Sequence, residues 1–154
     1  EENMAEAKKI ISHGHQLANH SYSHPQMVLK SYSFIKNEIE TTDQLIREAG
    51  YKDEIYFRPP YCKKFVMLPY YLSKQNKTTI TWNIEPESYS EVGVSSENIV
   101  KHVNDNITPG SIVLLHVMYD SREESVKAIK GIVNSLREKD YKFKTISELI
   151  NYKS

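Results

Sequence analysis

The sequence predicts an α/β fold in which helices alternate with short parallel strands, closing into a barrel or lying as an open sheet. Three observations carry that reading. Apolar residues recur at helical spacing in long stretches, short β-branched or continuously apolar runs stand between them, and the joints are short and marked by glycine, proline or a capping residue. At 154 residues the chain reads as a single domain over 1–154 with a core of useful size.

Asn3 is placed to cap a first helix running to about His13, with Ala7, Ile10 and Ile11 on one stripe and Gly14 ending it. His15 to Ala18 reads as a short strand. A longer helix is expected from Tyr32 to Ala49, burying Ile35, Ile39, Thr42, Leu45 and Ile46 and closed by Gly50. Ile55 to Phe57 is a strand that must stop at Pro59, because Pro59 and Pro60 cannot donate to a ladder. The next helix, Phe65 to Gln75, turns Leu68, Tyr71 and Leu72 inward, and Thr78 to Trp82 is a β-branched strand. Ser95 or Ser96 opens a helix to Ile107, after which Pro109-Gly110 turns into the apolar run Ser111 to His116, read as a strand buried on both faces. Ser121 and Glu124 form a capping box for a helix to Glu138, with Ala128, Ile129, Ile132, Val133 and Leu136 inward. Tyr141 to Lys144 is a last strand, and Thr145 with Glu148 caps a short final helix to Asn151.

Charge excludes some partners. Twenty basic and twenty acidic residues cancel without a Lys/Arg block, so no nucleic-acid or anionic-membrane footprint is expected. No run is long and apolar enough to span a membrane. Cys62 is the sole cysteine, which rules out an intrachain disulfide and a thiolate cluster. Eleven tyrosines suit sugar surfaces as well as ordinary amphipathic cores.

The chemistry concentrates around Asn19-His20-Ser21-Tyr22-Ser23-His24. On a helix, His20 and His24 would share one face about 5–6 Å apart at Cβ, close enough to hold one divalent metal; alone, such a pair is more simply two half-exposed surface residues. Phe57-Arg58-Pro59-Pro60-Tyr61, Trp82 to Tyr89 and Leu114-Leu115-His116 each fall at an expected strand end, where α/β folds carry their catalytic loops.

These motifs, in this order and spacing, resemble the polysaccharide deacetylase family, the NodB-homology domain of carbohydrate esterase family four. His-Ser-Tyr-Ser-His matches its His-[Ser/Thr]-x-x-His motif, Arg58-Pro59-Pro60-Tyr61 its Arg-x-Pro-Tyr, and Leu114-Leu115-His116 its Leu-x-His. The resemblance implies a distorted (β/α) barrel that removes acetyl groups from N-acetylated sugars of peptidoglycan, chitin or a related glycan, at the cell envelope or outside the cell. It implies a divalent metal, zinc first and cobalt or nickel as alternatives, held by His20 and His24 with an aspartate. His116 would be the general acid and Arg58 would orient the base; Tyr61, Leu114, Trp82 and Tyr89 would contact substrate. Arg58 in a surface ion pair and Leu114 in plain core packing are the simpler alternatives. His13, His15 and His102 match no motif.

Two departures qualify the match. The family's Thr-Phe-Asp-Asp motif, source of the third metal ligand and of the base, does not occur in these 154 residues. The sequence therefore resembles roughly the last two thirds of such a domain, a partial barrel lacking its first strands. The second departure falls in the family's Asp-x-x-Asp-Trp, aligned with Glu85-Pro86-Glu87-Ser88-Tyr89, where Glu85, Glu87 or Ser88 would have to orient the acid histidine. The expectation is an active deacetylase whose isolated segment is inactive, with a sugar-binding pseudoenzyme or a structural fragment as alternatives. Open strand edges near Ile112 to Leu115 predict self-association or completion by a further N-terminal segment.

Overall fold

The structure is a computed structural model and describes residues 3–152. Its helices are α1 Met4–Ser12, α2 Tyr32–Glu48, α3 Met67–Lys74, α4 Ser96–Asn106, α5 Glu123–Glu138 and α6 Ile146–Ile150, with short 3-10 turns at Pro60–Cys62, Pro86–Ser88 and Asp120–Arg122. The chain divides into two compact units, Glu1–Thr81 with Thr145–Ser154, and Trp82–Lys144.

In the first unit, α2 and α3 close over Phe57. Ile35, Ile39, Leu68, Tyr71 and Leu72 bury their side chains with Met27 around it, and the Tyr71 hydroxyl donates to Glu40 at 3.1 Å. Ser31 caps α2 through the Phe34 amide. A second cluster of Ile46, Tyr51 and Ile55 receives Ile11 and Leu17. The capping box of Thr145 and Glu148 forms as expected, and α6 docks through Gln16, which donates to Ser147 Oγ at 2.7 Å and accepts from its amide. Asn3 precedes α1 without a side-chain cap, while Gly14 and Gly50 take the left-handed turns expected of them.

In the second unit, α4 and α5 pack over Ile84, burying Ile99, Val103, Ala128, Ile132 and Leu136. Ser95 caps α4. The capping box expected at Ser121 and Glu124 does not form. α5 begins at Glu123 after a 3-10 turn that contains Ser121, and the Glu124 carboxylate instead takes the Ser96 amide at the start of α4, at 2.8 Å. Ile129, expected inward, is exposed, because α5 turns Ser125, Ala128, Ile132 and Leu136 to the core.

The expected strands are reduced to single parallel bridges, Asn19 with Phe57, Phe57 with Thr79, and Ile84 with Val113. The pairing is parallel, as the helix–strand alternation requires, but it does not propagate. In Ser111 to His116 the reason is visible in successive donors. Leu114 N–H reaches the Ile84 carbonyl at 2.9 Å, whereas Ile112 N–H goes to the Asn83 side chain and His116 N–H to the Glu87 carboxylate. Side chains end the ladder at both ends. The run is also not buried throughout: Leu114 is buried, Ile112, Val113 and Leu115 only partly. His15 to Ala18 precedes the bridging residue Asn19, and Tyr141 is tied back to α5 through the Leu136 carbonyl instead of entering a sheet.

Gly131 sits in α5 where a Cβ would lie 2.7 Å from Val100 Cγ2 on α4. Helix propensity alone favours alanine by about 1 kcal/mol, but Val100 is β-branched and stiff at χ1 in a helix. Overpacking therefore wins: Gly131→Ala is expected to lower unfolding stability by about 1–3 kcal/mol in urea denaturation. Val100→Ala in the same background should recover most of that loss.

Candidate active site

In the first unit the site is built on Asn19, a side chain with no solvent exposure. Its amide nitrogen donates to the Ile39 carbonyl at 2.8 Å and to Asp43 at 2.7 Å, and its oxygen accepts the Ser21 amide at 2.8 Å. Its backbone pairs on both sides with the Tyr56–Arg58 segment. The histidine stretch is consequently not helical. The amides of Tyr22 and Ser23 go to Glu38 Oε2, the Ser23 hydroxyl goes to Glu38 Oε1, and the His24 amide goes to Ser21 Oγ. Ser21 and His24 take positive φ of 68° and 53°, conformations that cost about 1–3 kcal/mol each and persist when their surroundings over-determine them.

The helix that would have paired His20 with His24 is replaced by this turn, yet the pair forms. The two Nε2 atoms stand 3.2 Å apart, close to the roughly 3.3 Å between two nitrogens on one tetrahedral zinc. His20 Nδ1 lies 2.6 Å from the Arg58 carbonyl. A carbonyl only accepts, so Nδ1 carries a proton and the ring turns its Nε2 toward His24. Arg58 thus enters the site through its backbone, with its amide on the Asn19 carbonyl at 2.9 Å. Tyr61 tilts its ring over His24 at 4.8 Å, and Tyr61 and Cys62 both have positive φ in the turn after the two prolines. Cys62 is exposed. Among the described residues, no group of three His, Cys, Asp or Glu gathers to hold a metal. The donors present fit two corners of a metal site.

In the second unit the three aligned candidates separate. Glu85 accepts from the Trp82 indole at 3.0 Å, and Ser88 is exposed, its amide closing the 3-10 turn on the Glu85 carbonyl. Glu87 points inward, its side chain only 2% exposed. One oxygen takes the Ser125 hydroxyl and the His116 amide, the latter at 3.0 Å, while the other takes His116 Nδ1. Burial pushes the Glu87 carboxyl up. The Ser125 hydroxyl and the amide, ring and charge of His116 outweigh it and hold the group below the ordinary carboxylate value. Leu114 is buried two residues before His116, and Tyr89 stacks at 4.9 Å on His102. A cleft of about 240 Å³ is lined by Trp82, Glu85, Tyr89 and His102 among others. Glu38 and Ser125 escaped the sequence reading, and Asn19 figured there only as the start of the histidine stretch. The only signals available were polar residues at otherwise buried positions of the pattern.

The polysaccharide deacetylase family model matches residues 1–81. Over 148 residues the chain is 31% identical to a peptidoglycan-N-acetylglucosamine deacetylase of Bacillus cereus, covering 95% of this chain and 68% of that protein. The chain belongs to the polysaccharide deacetylase family. It spans only about half, 51%, of a second Bacillus cereus protein with the same description, at 30% identity and with 92% of this chain matched. Among solved structures it resembles a peptidoglycan N-acetylglucosamine deacetylase, with TM-score 0.87, 27% identity, and 96% of this chain and 69% of that one covered. It also resembles a CE4-family pseudoenzyme from Bacillus anthracis, with TM-score 0.83, 26% identity, and 97% and 51% covered. The fold is thus of the CE4 type.

Two outcomes follow from these contacts. Asn19→Ala strips the Ser21 amide and Asp43 of a buried partner and is expected to cost about 1–3 kcal/mol of stability in urea denaturation, with displaced ring resonances of His20 and His24. Glu87, whose folded pKa lies below its ordinary 4.5, contributes stability that is present above that pH and lost as pH falls through the folded value. Glu87→Gln should therefore be less stable than the wild type at pH 7, by about 1–3 kcal/mol, and the gap should narrow steadily below pH 4.5 when denaturation is followed against pH.

Proposed function

We propose that this chain forms most of a metal-dependent deacetylase acting on the acetamido groups of a glycan, peptidoglycan first and chitin or a related polymer next. The observation that carries the reading is the His20–His24 pair, two imidazole nitrogens 3.2 Å apart with one tautomer fixed by a backbone carbonyl, in a chain of this family. Peptidoglycan is favoured because that is what the similar Bacillus proteins are described as acting on.

An amide is a poor electrophile and its nitrogen a poor leaving group, so the reaction needs help at both ends. His20 and His24 would hold a divalent metal, zinc or else cobalt or nickel; when bound, it would polarise the acetyl carbonyl and make water more acidic. His116 supplies the other end. With Nδ1 committed to Glu87, its Nε2 is the nitrogen that hands a proton to the departing amine as the C–N bond breaks. Glu87 fixes that tautomer, the task for which Glu85 and Ser88 were alternatives. Arg58 would orient the base and Tyr61 would offer its amide to the developing oxyanion. Leu114 would receive the acetyl methyl, with Trp82 and Tyr89 against the sugar. The third metal ligand and the base would come from a Thr-Phe-Asp-Asp segment outside these residues, completing the distorted barrel. Self-association belongs to the same reading, since Ile112, Val113 and Leu115 keep part of their apolar surface open.

The similarity to a pseudoenzyme and the departures at Glu85, Ser88 and Tyr89 favour a second reading, a glycan-binding domain without turnover. Metal content and acetate release from an acetylated chitooligosaccharide and from peptidoglycan separate the two, measured on this chain and on a version extended upstream to carry the Thr-Phe-Asp-Asp motif. The expected result is one bound metal and acetate release in the extended form, both abolished by His20→Ala. Sugar binding without acetate release in either form would establish the second reading.

A further inference from the structure

Ser125 lies in the first turn of α5, outside every motif that carries the family resemblance, and it is 2% exposed. A hydroxyl facing a carboxylate can only donate, so its hydrogen is committed to Glu87 Oε1. The His116 amide sits between the two oxygens, at 3.0 Å from Oε1 and 3.2 Å from Oε2, and fixes the carboxylate's distance but not its rotation. Rotation about the last bond of a glutamate is soft, and a glutamate has one more rotatable bond than an aspartate. Ser125 is the contact that fixes that rotation: its hydroxyl holds Oε1 on the α5 side while Oε2 meets His116 Nδ1. The carboxylate also lies at the positive end of the 16-residue helix α5, which favours its ionised form.

We propose that Ser125 is a positioning residue of the acid step. By locking the rotamer of Glu87 it fixes the plane and tautomer of the His116 imidazole and so aims Nε2–H. This rests on the deacetylase reading for its catalytic meaning, but not for its geometry. Partners that orient an active imidazole from behind change activity by about 10- to 100-fold when removed, and their loss acts on turnover more than on substrate binding.

The test is an NMR observation of the His116 ring in this chain, assigned by His116→Gln. An Nδ1–H donated to a carboxylate this buried is shielded from solvent exchange, so wild type should show a sharp low-field imidazole proton. Ser125→Ala should broaden or abolish that signal with the far-UV spectrum unchanged, and Ser125→Thr, which keeps the hydroxyl, should restore it. If the threonine variant does not fold, Ser125→Cys takes its place, keeping the volume with only a weak donor, and a weakened signal is expected. A signal in Ser125→Ala with wild-type position and exchange rate, or its absence from wild type, overturns the proposal. In the extended form, Ser125→Ala should lower kcat about tenfold with KM unchanged. An inactive extended parent with the NMR pattern intact would sink the deacetylase reading and leave Ser125 in its role. An active parent with unchanged kcat and signal in Ser125→Ala would do the reverse.

Discussion

Backbone donors that the parallel pairing leaves over are taken by side-chain oxygens, and the candidate site depends on this exchange. Three bridges, each one residue long, hold the extended segments. Beyond them the amides of residues 21 to 24 face Asn19, Glu38 and Ser21, and those of Ile112 and His116 face Asn83 and Glu87. A sheltered amide left without a partner costs about 1–3 kcal/mol, so Asn19, Glu38 and Glu87 hold turns that would otherwise be unstable. The same exchange lets the backbone leave regular geometry at the histidine turn, including the positive φ of Ser21 and His24.

The same device orients the rings. In both units a histidine gives Nδ1 to an oxygen fixed by the fold, the Arg58 carbonyl for His20 and the Glu87 carboxylate for His116. The acceptors differ: His20 meets a backbone carbonyl and His116 a side-chain carboxylate. Two rings of the same type are thus oriented by what stands behind them.

Much of this was legible in the sequence. The helices were found with their inward residues largely right, as at Leu68, Tyr71 and Leu72 of α3, because helical periodicity and capping are local signals. The motif residues of each unit were named because they are written as short patterns. What was missed shares one cause. Strand length, the non-helical histidine turn and the capping partner of Glu124 are decided by contacts between residues far apart in the chain, Asn19 with Asp43, Tyr22 with Glu38, Ser96 with Glu124. Ser125 and Glu38 lie on the buried stripes of their helices, but periodicity does not say which distant groups a polar residue there will meet.

The departure at Glu85 to Tyr89 has a geometric resolution. The family pattern places a carboxylate at the position of Ser88, which here is exposed. Pro86 is buried and starts a 3-10 turn, which directs residue 87 inward and residue 88 outward. The carboxylate one position earlier in the chain is the one that meets His116, and it is a glutamate. Burying a carboxylate to 2% exposure costs several kcal/mol unless its lone pairs are met, and an apolar side chain would fill the same space without that penalty. Glu87 meets it with donors from His116 and Ser125. A side chain that costly to bury, with an oxygen committed to the His116 ring, is better explained by the need to orient that ring than by packing alone.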